Sequence, residues 1–143
     1  MLDQRLKTPW WALRLTFGLV PIIAGLDKFT NILARWEGYL APWFVQILPF
    51  SPRTFMMLVG VIEIAAGLLV LSKLTRVGAY VVSGWLVAIA INLVTAGFFD
   101  VAVRDLSMAV GAFALARMSE ARQTAARPAR ARRHHFKEAH AGV

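Results

Sequence analysis

The stretch TFMMLVGVIEIAAGLLVLS, residues 54–72, is apolar along its whole length except for one carboxylate, Glu63, near its centre. About 19 residues of α-helix are roughly 28 Å long, close to the ~30 Å hydrocarbon core of a bilayer. The stretch therefore predicts a transmembrane helix. Gly60 and Gly67 lie three residues before and four residues after Glu63, on the same helix face. A neighbouring helix can approach a face with so little side-chain bulk.

The composition places the whole chain in the membrane class. Of its 143 residues 58% are hydrophobic, and the mean hydropathy of +0.58 is too high for a soluble domain of this size. The chain has no cysteine, which excludes thiolate catalysis, iron–sulfur clusters and cysteine zinc sites. Its histidines, His134, His135 and His140, all lie near the C-terminus. Neither a haem nor a metal ion is therefore expected inside the membrane.

Four apolar segments predict an all-α protein, an integral membrane four-helix bundle. The spans are expected at about residues 10–29, 54–72, 77–99 and 101–118. The first is predicted to begin after Pro9, which the first turn of a helix tolerates, and Asp100 is predicted to end the third. The apolar run after the polar start is too long for a cleavable signal peptide, so the first helix is expected in the mature chain.

One side of the first span combines small and charged residues. Steps of four, three, four and three residues separate Arg14, Gly18, Pro21, Gly25 and Lys28. This spacing puts them on one stripe of a helix. The stripe resembles the small face around the mid-helix acid of the second span, so we infer that the two faces meet.

The connection between the first two spans, residues 30–53, is not a simple polar loop. Its aromatic and leucine residues recur at helical spacing, whereas Pro42, Pro49 and Pro52 interrupt it. The segment WFVQILPF is too short to cross a bilayer, so the connection is predicted to be interfacial or re-entrant.

The two ends of the chain predict the orientation. Residues 1–9 are expected to form a cytoplasmic N-terminus, residues 10–118 the membrane domain, and residues 119–143 a basic, disordered cytoplasmic tail. From Arg117 onward, seven lysines and arginines stand against two glutamates, and the positive-inside rule then puts both termini in the cytoplasm of a multi-pass plasma or inner membrane protein. The arginines expected to contact anionic lipid are Arg117, Arg122, Arg127, Arg130, Arg132 and Arg133. No nucleic-acid reader accompanies this charge, so nucleic acid is not an expected partner.

The candidate ligand-binding site is a set of polar residues in or near the membrane. Its members are Arg14, Lys28, Glu63, Asn92, Arg104 and Asp105. Two interpretations of the acid at position 63 stay open: a carboxylate that titrates or binds a ligand, or a structural pair. The partners that the sequence offers for such a pair are Arg14, Asn92, Tyr80 and Lys28.

Charged and aromatic residues near the outer face extend this candidate site. Asp27 joins Lys28, Arg104 and Asp105 in a group that could bind an anion or a quinone head group, or simply pair at the interface. The residues that could frame a quinone are Trp36, Tyr39 and Trp43. Asn92 is expected to donate an interhelical hydrogen bond.

Taken together, these features make the sequence resemble the DoxX-like family of small four-helix membrane proteins. The matching pieces are LRLTFGLVPIIAGLDKF (13–29), LPFSPRTFMMLVGVIEIAAGLLVLSKLTRVGAY (48–80) and the Arg104–Asp105 pair. The arginine of the family's first helix corresponds here to Arg14, and its Gly-x-x-Lys element corresponds to Gly25 and Lys28. Its mid-helix glutamate corresponds to Glu63, and its late charged pair corresponds to Arg104 and Asp105. Pro21 and the basic tail depart from the usual pattern.

The resemblance implies a non-catalytic accessory or anchor subunit of a membrane redox assembly, such as a sulfur or quinone oxidoreductase or an oxidative-stress complex. The alternative is a small carrier of a quinone, lipid or solute, with Glu63 and Lys28 lining its site. The expected partners are membrane lipids, redox-enzyme subunits, and further copies of the chain that pack through Gly and Ala faces.

Overall fold

The computed structural model describes the backbone of residues 2–141 and the side chains of residues 4–126, and over that range it is built from α-helices. In chain order they are α1 (Leu2–Thr30), α2 (Pro42–Ile47), α3 (Pro52–Leu71), α4 (Thr75–Thr95) and α5 (Phe99–Ala141). A short 3₁₀ helix, Trp36–Tyr39, lies between α1 and α2. The four long helices confirm the all-α four-helix bundle.

Three of the long helices are long and apolar enough to cross a membrane. Within the described backbone these candidate spans are Gln4–Thr30, Pro52–Leu71 and Thr75–Thr95. The fourth predicted span forms the first half of α5, where Arg104, Asp105 and Arg117 interrupt the apolar sequence. The predicted division between a membrane domain and a tail at residues 118 and 119 stays a prediction, and the backbone of α5 continues to Ala141.

Two predicted helix boundaries are wrong. The first helix begins at Leu2, so Pro9 lies inside it, where the missing N–H affects only the exposed first turns. The third span ends at Thr95, not at residue 99, because Gly97 adopts a left-handed conformation with φ 86° and turns the chain. Asp100 consequently lies in the first turn of α5, where its negative charge interacts favourably with the helix dipole.

The segment that joins α1 to α3, residues 31–51 and here called the connecting segment, is broken up as its prolines predict. Pro42 occupies the first turn of α2, and Pro52 that of α3. The Ser51 side chain caps α3 by accepting a hydrogen bond from the Thr54 backbone N–H at 3.2 Å. The segment is thus a chain of short turns between two membrane helices.

The bundle consists of two helix pairs. α1 packs mainly against α3, and α4 mainly against α5, with fewer contacts between the pairs. Buried apolar residues join the two pairs, among them Phe17, Val70, Val82 and Leu115. The pairing of α1 with α3 confirms the inference that their small faces meet.

Glycines make the α1–α3 contact close. A Cβ atom built at Gly25 would lie 2.5 Å from the Gly60 carbonyl oxygen, and one built at Gly60 would lie 2.6 Å from the Gly25 carbonyl oxygen. Gly67 meets the backbone of Gly18 in the same way. The order of these contacts makes α1 and α3 antiparallel. The glycine face of α3 is therefore used inside the chain, and self-association through other faces stays a prediction.

Gly60→Ala is expected to lower the free energy of unfolding by about 1–3 kcal/mol, since the new methyl group overlaps backbone that cannot rotate away. Thermal or denaturant unfolding of the purified protein measures this. The matched control is Gly84→Ala on α4, where a Cβ meets no atom within 4 Å. That change should leave stability equal or raise it by up to about 1 kcal/mol. Equal effects of the two changes would contradict the packing argument.

Candidate functional site

An ion pair between α1 and α3 occupies the interior of the bundle. Lys28 Nζ donates to Glu63 Oε2 at 2.6 Å, and only 3% and 7% of these residues are exposed. A buried carboxylate is costly unless it is paired. Of the four partners that the sequence offers for Glu63, the structure therefore uses Lys28.

The glycine contact makes room for this pair. Because α1 and α3 are antiparallel, Lys28 lies one turn to one side of the Gly25–Gly60 contact and Glu63 one turn to the other. The lysine side chain starts beside Gly60, where a Cβ atom would lie 3.2 Å from the Cβ of Lys28. A larger residue at this position would stand in the path of the lysine.

The connecting segment covers the ion pair through Trp36. The Lys28 ammonium lies 3.7 Å from the centre of the Trp36 ring, a cation–π contact. The indole N–H of Trp36 donates to the Asp27 carboxylate at 2.8 Å. Lysine thus contacts an acid on one helix and an aromatic ring from the segment above it.

Asp27 holds the beginning of the connecting segment. Its two oxygens accept hydrogen bonds at 2.8–3.3 Å from Thr30 Oγ1, from Trp36 Nε1 and from the backbone N–H groups of Ile32, Leu33 and Ala34. Asn31, with φ 53°, makes the turn that brings these groups round the carboxylate. This role is not among those predicted from the sequence. The signal in the sequence was an acid in the last turn of a helix. The helix dipole disfavours a negative charge there unless hydrogen-bond donors stabilise it.

Glu37 holds the middle of the connecting segment. Its carboxylate accepts from Arg53 Nη1 at 3.1 Å and from Asn31 Nδ2 at 3.0 Å. A hydrogen bond from its own backbone N–H lowers the pKa of Glu37, and the bonds from Arg53 and Asn31 lower it further. Partial burial acts in the opposite direction, but the pKa stays below its ordinary value. The resulting stabilisation is present above the unfolded pKa and is lost as the pH falls through the lower folded pKa.

Asp105 adds a second carboxylate to the interior. It is buried on α5 and interacts electrostatically with Lys28 and Glu63. Its ion contact is with the exposed Arg104, at 3.5 Å between Nε and Oδ1. We call Lys28, Glu63 and Asp105 the central charge cluster. The cluster contains one lysine and two acids, and Arg104 lies at its edge.

A tryptophan on α4 borders the same cluster. The Trp85 indole N–H faces Glu63 but is enclosed without an acceptor at hydrogen-bond distance among the described residues. An enclosed donor without an acceptor is unusual, because nearly all buried polar groups are bonded. Trp85 is not among the site residues predicted from the sequence.

Two of the predicted site residues lie away from the cluster. Arg14 binds the carboxyl end of α3, donating to the carbonyl oxygens of Val70, Leu71 and Ser72 at 2.6–3.2 Å. Asn92 bonds the connecting segment through the Tyr39 carbonyl oxygen at 2.8 Å and the Ala41 N–H at 3.0 Å. The structure therefore brings together four of the six candidates.

The aromatic residues that could frame a quinone each have a partner within the chain. Trp36 bonds Asp27, and Tyr39 packs edge-on against Phe98 with ring centres 5.0 Å apart. Trp43 Nε1 donates to Thr95 Oγ1 at 3.1 Å. These contacts fasten the connecting segment to α1 and α4.

The arginines predicted to contact lipid fall into two groups. Arg117 pairs with Glu120 at 2.8 Å, and the Arg122 guanidinium lies 4.3 Å from the centre of the Trp10 ring. The side chains of Arg127, Arg130, Arg132 and Arg133 lie outside the described residues. The lipid role of all six stays a prediction.

Glu63→Leu is expected to lower the free energy of unfolding by about 3–5 kcal/mol, because it leaves Lys28 buried without its bonded acid. Adding Lys28→Met should recover most of the loss, and a double-mutant cycle measured by denaturant unfolding isolates the coupling. Arg117→Met, which breaks an exposed i,i+3 pair, serves as control and should leave the free energy of unfolding nearly unchanged. A neutral or stabilising Glu63→Leu would mean that the acid is kept for function and not for stability.

Comparison with known proteins agrees with this architecture. The model of the DoxX family matches residues 10–99, more than half of the chain. The matched range contains α1 from residue 10 onward, the connecting segment, α3 and α4, and with them Lys28 and Glu63. Searches of the curated proteins and of the solved structures returned no match. On the strength of the family match, the chain belongs to the DoxX family of membrane proteins.

Proposed function

We propose that this DoxX-family membrane protein is a non-catalytic accessory or anchor subunit of a membrane redox complex, either an oxidative-stress complex or a sulfur or quinone oxidoreductase. The observation that supports the proposal best is the enclosed Lys28–Glu63 pair under Trp36. Charges that bind each other in this way fasten helices together and leave little of the pair accessible to a substrate. The family resemblance contributes the redox setting.

The connecting segment is suited to contact such a partner. Ile32, Leu33 and Ile47 expose most of their apolar side chains there. Asp27 and Asn92 bond the backbone of the same segment, so its shape is set before a partner arrives. A surface that is ordered beforehand loses less conformational entropy on association.

The second candidate function is a carrier or binding protein for a quinone, a lipid or a solute, with Glu63 and Lys28 lining the site. The observation that favours it is the composition of the central charge cluster, which contains two acids and one lysine. The enclosed N–H of Trp85 beside Glu63 is a donor that a ligand oxygen could use. Ionisable groups inside membrane bundles commonly mark such paths.

Affinity purification of the tagged chain from its native membranes in mild detergent tests the first proposal. We expect a stoichiometric oxidoreductase in the mass spectrum and its cofactor bands in the optical spectrum of the eluate. Leu33→Ser should reduce the recovered partner several-fold, and the matched control Val110→Ser, at an equally exposed apolar site on α5, should not.

Elution of the chain without an oxidoreductase would contradict the subunit proposal. Identification of a quinone or lipid in the extract would then favour the carrier. Full retention of its transport or binding activity in Glu63→Gln would in turn contradict that second candidate.

For localisation, we propose a plasma or inner membrane protein with both termini in the cytoplasm. Arg14 donates to the Ser72 carbonyl oxygen at 2.8 Å, and Arg76 lies 3.8 Å from Glu120. These contacts group the first part of α1, the α3–α4 turn and the middle of α5 at one end of the bundle. The cations at this end support a cytoplasmic position by the positive-inside rule.

Single cysteines test this orientation, because the chain has none of its own. In intact cells, a membrane-impermeant maleimide should label Gly38→Cys in the connecting segment and leave Lys73→Cys in the α3–α4 turn unlabelled. Both positions are exposed, so permeabilised cells should show labelling of both. Labelling of Lys73→Cys alone in intact cells would reverse the proposed topology.

A further inference from the structure

A cavity of about 370 Å³ opens at the end of the bundle where α1 begins, where α3 turns into α4, and where α5 leaves the other helices. It lies far from the central charge cluster, at the opposite end of α1. The side chains and backbone that line it come from Trp10, Arg14, Ser72, Lys73, Thr75, Ser119, Arg122, Gln123 and Ala126. Cationic side chains thus line a space whose accessible surface is otherwise largely apolar.

Three cations line this cavity, and none of the described lining residues is an acid. The guanidinium groups of Arg14 and Arg122 lie 5.0 Å and 4.3 Å from the centre of the same Trp10 ring. The nearby acid Glu120 is already engaged by Arg117 and by Tyr80. Two like charges held against one ring repel each other, and an anion between them would relieve that repulsion.

The donors of the two arginines are used unequally. Arg14 directs Nε and Nη2 to carbonyl oxygens at the end of α3, so its role in part is to cap that helix. Arg122 Nη1 is enclosed and has no hydrogen-bond partner among the described residues. Arg122 is only partly buried, but this nitrogen of its guanidinium group lacks the acceptor that an enclosed charged donor normally has. Because Arg14 is partly occupied in capping α3, it is mainly Arg122 that indicates a ligand in this cavity.

The rim of the cavity carries a further positive element. α4 begins there at Thr75, and no side chain caps its first turn. The free N–H groups and the dipole of a helix amino end favour anions, phosphate in particular. Trp10 is fixed on the opposite wall, because its Nε1 donates to Ser119 Oγ at 2.8 Å. The cavity therefore has a fixed apolar wall and donors on several sides.

We propose that this cavity binds a phosphate-bearing anion, with Arg122 as the principal donor and Arg14 and Lys73 as supporting charges. A phospholipid head group or a soluble phosphate has the required chemistry. Arginine forks suit phosphate oxygens, and basic pockets between membrane helices are typical head-group sites. The proposal is independent of the redox role, because it rests on a different part of the chain.

Native mass spectrometry of the full chain, titrated separately with phosphatidylglycerol, phosphatidylcholine and inorganic phosphate, tests the proposal. One tightly bound phosphatidylglycerol is expected, and Arg122→Gln should weaken its binding about tenfold by removing a charge-assisted hydrogen bond. Arg122→Lys keeps the charge and should retain part of the affinity. The matched control is Arg35→Gln, which removes the same charge from an exposed position of the connecting segment, at the other end of the bundle, and should change binding less than about threefold.

The arms of the experiment separate the two sources of phosphate. Binding of phosphatidylglycerol that inorganic phosphate does not displace identifies a lipid head group, and equal displacement identifies a soluble phosphate. Equal weakening by Arg122→Gln and Arg35→Gln would overturn the proposal, because it would show attraction to net charge only. Equal affinity for phosphatidylcholine and phosphatidylglycerol would also overturn it. Circular dichroism and gel filtration of each variant establish that the fold is retained.

Discussion

The salt bridge between Lys28 and Glu63 is the interaction on which the arrangement of the helices depends. Two charges almost out of contact with water must find each other, so their positions fix the rotation and the depth of α1 against α3. The glycines at the α1–α3 contact are the steric condition for this bond, since they let the backbones touch and leave a path for the lysine. Trp36 then covers the ammonium, which ties the connecting segment to the same centre. The glycine contact, the buried pair of charges and the ring that covers it thus meet at one place in the bundle.

The polar residues of the bundle divide by position into three tasks. At the interior, Lys28 and the two acids of the central charge cluster set the electrostatics. At the end that carries the connecting segment, Asp27 and Asn92 satisfy backbone groups of a chain that is neither helix nor strand. At the end where α1 begins, Arg14 satisfies the last carbonyl oxygens of α3. Many of the residues that the sequence groups into a single candidate site therefore serve instead to form hydrogen bonds with backbone groups, which need partners in the apolar membrane.

Helical periodicity and residue size were enough to predict the bundle and the meeting of α1 with α3, because both follow from spacing along one helix. They were not enough to choose the partner of Glu63, since Arg14, Lys28 and Tyr80 are distinguished only by the register between helices. The role of Asp27 was missed because most of its donors are backbone N–H groups of a turn, and its place in the last turn of the helix was not used as a signal. Asn92 was predicted to bond another helix and instead bonds the connecting segment, whose path depends on turns at Asn31 and Pro42 that periodicity does not describe.

The division of the bundle into two helix pairs has a consequence for its energetics. Lys28 and Glu63 belong to the α1–α3 pair, whereas Asp105 and Trp85 belong to the α4–α5 pair. A displacement of one pair against the other leaves the lysine–glutamate bond intact but changes the distance from that bond to Asp105. The electrostatic interaction between Asp105 and the bonded pair therefore depends on how the two helix pairs are spaced.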